Sequence, residues 1–92
     1  MQVYTINHLE IRVSNGQITA ATSGISSHGF TDLSAALTAS RRLAKYKRLK
    51  LIRAGAYSSD AIRIEMGKNG AKVCWGDSYD EYSVVRITVK EG

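Results

Sequence analysis

The stretch Thr31-Asp32-Leu33-Ser34-Ala35-Ala36-Leu37-Thr38-Ala39-Ser40-Arg41-Arg42-Leu43-Ala44-Lys45-Tyr46-Lys47-Arg48 decides how this 92-residue chain folds. Leu33, Ala36, Leu37, Ser40, Leu43 and Ala44 follow the i, i+3, i+4, i+7 rhythm, so they share one side of a helix. Thr31 or Asp32 supplies the side-chain oxygen that caps its first turn. Arg41, Lys45 and Arg48, at i, i+4, i+7, form a separate stripe beside the apolar one. Past Tyr46 the rhythm fails. A continued helix would aim Lys47 at the core and Leu49 at solvent, whereas Leu49 and Leu51 alternate with Arg48, Lys50 and Ile52 as in extended chain. The helix is therefore predicted to end between Tyr46 and Arg48.

On either side of it the period changes to two. Upstream, Leu9, Ile11 and Val13 alternate with Glu10 and Arg12, then Asn15-Gly16 offers a tight turn, and Gln17 to Thr22 returns antiparallel. Whether Val3 to Ile6 belongs to that first strand is open. Gly24 to Phe30 reads as loop. Downstream, Ile62, Ile64 and Met66 alternate with Arg63 and Glu65, Asn69-Gly70 turns, and Val73 and Trp75 return. Gly76 to Glu81 reads as an acidic loop, and Val85, Ile87 and Val89 alternate in a last strand. The order ββαβββ predicts an α+β domain, an antiparallel sheet of about five strands with one helix on its apolar face. Its expected core joins Leu33, Leu37 and Leu43 to Ile11, Ile62, Ile64, Val73 and Ile87, with Glu10 and Glu65 on the outer sheet face.

Length allows one domain over 1–92 and excludes a two-domain enzyme. At 43% hydrophobic and 23% charged residues the composition is that of a globular protein. The one cysteine, Cys74, excludes an internal disulfide and a multi-cysteine zinc site and suits a reducing compartment. Nothing near Met1 to His8 resembles a signal peptide or a membrane span, so a cytoplasmic protein with no membrane partner is expected.

Charge is the most informative property. The formal net charge is +5, and Arg41, Arg42, Lys45, Lys47, Arg48, Lys50 and Arg53 supply seven of the thirteen basic residues with no acid among them. The other six face all eight Asp and Glu, so this is a near-neutral domain with one concentrated cationic segment. Cations packed this closely repel one another, and an anionic partner would relieve that repulsion. A solvated surface is the plain alternative. Tyr46 within the run permits stacking on unpaired bases, as in single-stranded or looped RNA. No helix-turn-helix, zinc-finger or RNP pattern points to duplex readout.

Catalytic material is sparse. A thiol enzyme would need Cys74 brought to His8 or His28, whereas a cysteine between Val73 and Trp75 reads as a packing residue. Gly24 to Phe30 lacks the Gly-Lys-Ser/Thr ending of a phosphate loop. Asp77, Asp80 and Glu81 lack the alternating ligand positions of a calcium loop and read as a solvated acidic turn. No enzyme activity, metal, cofactor or small-molecule substrate is expected.

The basic segment Ala39-Ser40-Arg41-Arg42-Leu43-Ala44-Lys45-Tyr46-Lys47-Arg48-Leu49-Lys50, in a short proline-free chain that carries Gln2-Val3-Tyr4-Thr5-Ile6-Asn7-His8-Leu9-Glu10 near its start, resembles small phage accessory proteins. In particular the whole chain looks like a phage anti-CRISPR protein directed at type I, and within it type I-F, surveillance complexes. The likeness rests on no shared motif and transfers no residue roles. It implies a stoichiometric inhibitor in the host cytoplasm that docks on a Cas protein–guide RNA complex and keeps target DNA from being held. Arg41, Arg42, Lys45, Lys47, Arg48, Lys50 and Arg53 are then the expected contact set, with possible direct RNA contact. The alternative is a small basic nucleic-acid-binding module or phage regulator.

Overall fold

A computed structural model describes residues 2–26 and 28–89. The strands are β1 (Gln2–Ser14), β2 (Gln17–Ile25), β3 (Ile62–Gly67), β4 (Gly70–Trp75) and β5 (Ser78–Thr88). The helix α1 (Leu33–Arg53) joins the two halves, and a single 3₁₀ turn (Ser59–Ala61) leads into β3. All strand pairs are antiparallel, in the order β2-β1-β5-β4-β3, and α1 covers one face. The ββαβββ expectation holds.

Asn15 and Gly16 both take positive φ, 52° and 76°, the conformation a two-residue hairpin turn of the right twist requires. β1 includes Val3 to Ile6, because its pairing with β5 runs from Gln2↔Thr88 to Ile11↔Tyr79. β2 runs on to Ile25, past the expected loop start, since Asn7↔Ile25 and His8↔Gly24 remain in register. Gly76 to Glu81 is no loop either. Its turn is confined to Gly76-Asp77, and β5 starts at Ser78.

The second hairpin turns one residue earlier than Asn69-Gly70. Gly67 pairs with Gly70, so Lys68-Asn69 form the tip and Gly70 opens β4. A Cβ at Gly70 would collide with the Tyr82 carbonyl oxygen and lie 3.0 Å from Ser40 Oγ and 3.1 Å from Ser83 Cα. Here helix and sheet meet closely: the Ser40 hydroxyl donates to the Tyr82 carbonyl at 2.6 Å. Ala36, Ser40 and Ala44, each 0% exposed, form the buried stripe. Small side chains let the helix backbone approach the sheet.

The expected leucine core is corrected accordingly. Leu33 and Leu43 are exposed and Leu37 is half-buried. The core consists of Ile6, Ala44, Ile62, Ala71, Val73, Trp75 and Tyr82, with Phe30, Leu51, Ile52 and Ile64 packed against it. Ile62, Ile64 and Val73 are where they were expected. Ile11 and Ile87 are not, because strand parity places them on the opposite face: Glu10 lies across from Asp80 and Ile11 from Tyr79. Glu10 thus faces the helix side, while Glu65 keeps the outer face and pairs with Lys72 at 3.5 Å. On the outer side the pairing shift between Arg12 and Val13 sets Ile18 opposite Val13, and Ile18 and Ile25 stand in solvent.

The helix does not stop at Tyr46 to Arg48. It runs to Arg53, because Leu51 and Ile52 pack on the core and Arg48 donates to the carbonyls of Ile62 at 3.2 Å and Ser59 at 3.0 Å. Lys50 and Arg53 in the last turn favour the negative end of the helix dipole. Asp32 is the N-cap, accepting from the Ala35 amide.

Gly16 and Gly70 separate two kinds of glycine. Gly16→Ala meets open space and should cost about 1 kcal/mol for its positive φ alone. Gly70→Ala must displace backbone, and its cost should exceed that of Gly16→Ala by roughly 1–3 kcal/mol. Denaturant midpoints of the two variants check this.

Candidate functional site

Asp80, expected in a solvated turn, is instead 0% exposed on the helix-facing side of β5. Arg12 Nη1 lies 2.6 Å from Oδ1, His8 Nε2 3.1 Å from Oδ2, and Lys47 Nζ 3.6 Å from Oδ2. A buried carboxylate is costly unless paired and hydrogen-bonded, and β1 and α1 deliver its partners. Trp75 supports the cations from below, with the Arg12 guanidinium 4.6 Å and Lys47 Nζ 5.5 Å from its ring centroid. His8 stacks on Tyr82 with centroids 4.4 Å apart. Burial first, then the Asp80 charge, pushes the Tyr82 phenol well above its ordinary value of 10.0.

Ligand atoms of His8, Glu10 and Asp80 lie within 4.8 Å of one another, a spacing that a divalent cation could bridge. The charge balance opposes it, because Arg12 and Lys47 already hold the Asp80 carboxylate and would repel a metal ion. The cluster therefore ties α1 to the sheet. Among the described residues no thiol site is assembled around Cys74. Val73 lies opposite Asp80 and Cys74 opposite Tyr79, so His8 and Cys74 are on opposite sheet faces, and His28 lines a groove beside α1. Burial pushes the Cys74 thiol up from 9.0, which disfavours the thiolate.

The seven basic residues separate into two sets. Lys47 is committed to Asp80 and Arg48 to backbone carbonyls. Arg41 is half-buried, its Nε enclosed without a protein partner. The expected stripe Arg41–Lys45–Arg48 is thus not a free surface; only Lys45 of the three is exposed. Arg42, Lys45, Lys50 and Arg53 are exposed, and among the described residues none of them meets an acid. Arg42, Lys45 and Arg53 follow i, i+3, i+11 along the outer face. Arg42, Tyr46 and Lys50 follow i, i+4, i+8 beside it, with Lys50 Nζ 5.6 Å from the Tyr46 ring centroid.

Arg42 and Tyr46 of that second row line a groove of about 700 Å³, and Lys50 follows one turn beyond it. Ile6 and Phe30 form one wall, Ala39, Leu43 and Tyr46 the other, and Arg42 stands at the edge. The groove exists because the helix buries its alanine stripe, which leaves Leu43 and Tyr46 on a flank, 39% and 58% exposed. The antiparallel bridge between Tyr4 and Phe30 holds the far wall in place.

No family model, curated protein or solved structure matches the chain. Among the described residues no helix is long and apolar enough to cross a membrane.

The Asp80 cluster escaped sequence reasoning although two signals point to it. A helix continued past Tyr46 aims Lys47 inward, which demands a buried anion, and Ser78, Asp80, Tyr82 and Val84 occupy alternate positions of one strand. The groove gave no such signal, since Phe30 and Leu43 read as ordinary apolar residues.

Asp80→Ala should cost roughly 3–5 kcal/mol by leaving Arg12 and Lys47 without their shared anion, read as a lower denaturation midpoint. Tyr82 predicts a pH effect. Because its folded pKa is raised, the unfolded chain loses the phenolic proton first, so the stabilisation is complete below pH 10.0 and declines as pH climbs above it. Melting temperatures from neutral pH upward should fall more steeply above that point in the native protein than in Tyr82→Phe.

Proposed function

We propose that the protein acts by binding, and that it inhibits a type I CRISPR surveillance complex, of type I-F in particular, by setting the outer face of α1 against guide-RNA phosphate or an acidic Cas surface and so excluding target DNA. The single observation that supports a binding role is the unbalanced outer face. Arg42, Lys45, Lys50 and Arg53 stand in solvent with no acidic partner among the described residues, although the same helix pairs Lys47 and anchors Arg48. Exposed like charges along one ridge repel one another, and an anion laid across them removes that repulsion and releases counterions. The identification of the target rests on the sequence resemblance.

Occlusion requires only affinity and position. Phosphate contacts orient a ligand without reading sequence, so an inhibitor docked through lysine and arginine would follow the path of RNA in the complex, whatever its guide. The groove beside Arg42 and Tyr46 adds area on the same side. A basic module acting on free nucleic acid is the competing reading, and it differs in leaving target-DNA binding by the assembled complex unimpaired.

The test measures target-DNA binding by a purified type I-F complex. Reversal of Arg42, Lys45 and Arg53 to Glu leaves the core and the Asp80 cluster untouched and should weaken inhibition roughly a hundredfold or more, since each lost contact at a partly desolvated interface is worth on the order of 1–3 kcal/mol. The charge-matched control reverses Arg63, Lys68 and Arg86, exposed cations outside α1, and should inhibit like the native protein. Equal inhibition by both triple variants removes the α1 interface. No inhibition by the native protein removes the inhibitor reading, and tight salt-sensitive binding to free RNA would then favour the nucleic-acid module.

A further inference from the structure

We infer that the groove between α1 and the Ile6–Phe30 wall is a subsite for an unstacked base of single-stranded RNA, with the flanking phosphates on Arg42 and Lys50. This rests on the proposed RNA contact of α1 and specifies where and how that contact is made. Apolar side chains supply most of the groove's surface, Ser26, Ser34 and Thr38 add hydroxyls, and Arg42 stands at its edge. Ile6, Phe30, Ala39 and Leu43 line it, Tyr46 is more than half exposed on one wall, and His28 and Phe30 form an edge-on aromatic pair on the other, with centroids 4.7 Å apart. Among the described residues its one carboxylate, Asp32, accepts from the Ala35 amide as the helix cap. A ligand for such a surface has a flat apolar body and carries negative charge on both sides of it, which describes a nucleotide within a strand.

The spacing along α1 suits the same ligand. Arg42, Tyr46 and Lys50 recur every four residues, about 6 Å of helix rise per step, so an aromatic ring stands between two cations on one ridge. A base resting against Tyr46 has a cation on each side for its own and the neighbouring phosphate. Duplex RNA cannot use this site, because its bases are already stacked and paired. An acidic peptide with an apolar anchor shares the charge but has no need of the aromatic wall.

The probes are a short fluorescein-labelled oligouridine and the same strand annealed to oligoadenosine, titrated at low ionic strength and read by anisotropy. The native protein should bind the single strand more tightly than the duplex. Tyr46→Ala should lower single-strand affinity roughly tenfold or more and leave duplex affinity unchanged, while Tyr46→Phe should retain the native preference. Tyr46 is largely exposed, so circular dichroism of both variants should match the native protein. Native-like single-strand binding by Tyr46→Ala overturns the subsite, as does an equal loss on both probes or no binding of the single strand at all. In each of these cases the α1 interface still stands if the Arg42, Lys45 and Arg53 reversal abolishes inhibition of the surveillance complex. Displacement of a leucine-containing acidic peptide, rather than oligouridine, by changes at Tyr46 would assign the groove to a protein partner and overturn the RNA assignment.

Discussion

A carboxylate with no solvent exposure governs the arrangement of this fold. Asp80 projects from β5 toward the helix and is closed off from bulk solvent, so positive charge and hydrogen-bond donors must meet it there. Arg12 and His8 come from the adjacent strand, two positions either side of Glu10. Lys47 comes from the helix, and only a helix continued beyond Tyr46 can deliver it. The extent of α1, the register of β1 against β5 and the position of Trp75 beneath the two cations all agree with that one requirement. Replacement of such a cluster by apolar groups can be neutral in stability, whereas loss of one member is not. Its effect is therefore to fix one geometry among several that an alanine-lined helix could adopt on a sheet.

The consequence reaches the surface. A helix that buries Ala36, Ser40 and Ala44 turns its leucines and Tyr46 to the side, so close approach and the open groove have the same cause. Cations committed inward are removed from the set available to a partner. What remains is a ridge of Arg42, Lys45, Lys50 and Arg53, displaced around the helix from the stripe that spacing alone suggests. The binding proposed at this ridge and the integrity of the fold involve different residues of one helix, and so the two can be altered separately.

Much of the fold was legible in the sequence. The two hairpins, the position of the helix and the order ββαβββ followed from a change of period between two and 3.6 and from Asn15-Gly16, where positive φ is required. The rest depended on contacts between distant residues. Lys47 reads as a helix breaker until Asp80 is known to be buried, and Asp80 reads as a solvated turn until β5 is known to start at Ser78. Leucines outrank alanine and serine as core candidates by apolar area, yet here the distance of closest approach at Gly70 and Ser40 selected the small residues. The candidate site was legible as a segment, Arg41 to Arg53, but its division into committed and free cations was not.

The central claim is that a partner meets α1 on the ridge bounded by Arg42 and Arg53 and leaves the Asp80 cluster undisturbed. Amide and side-chain NMR shifts of the isotope-labelled protein, followed during titration with single-stranded oligouridine, test it most directly. The account predicts shifts concentrated at Arg42, Lys45, Tyr46, Lys50, Arg53 and the adjoining His28 to Phe30, with His8, Arg12, Asp80 and Tyr82 unmoved. Shifts centred on His8, Arg12 and Asp80, or on the outer sheet face around Ile18 and Ile25, would contradict it.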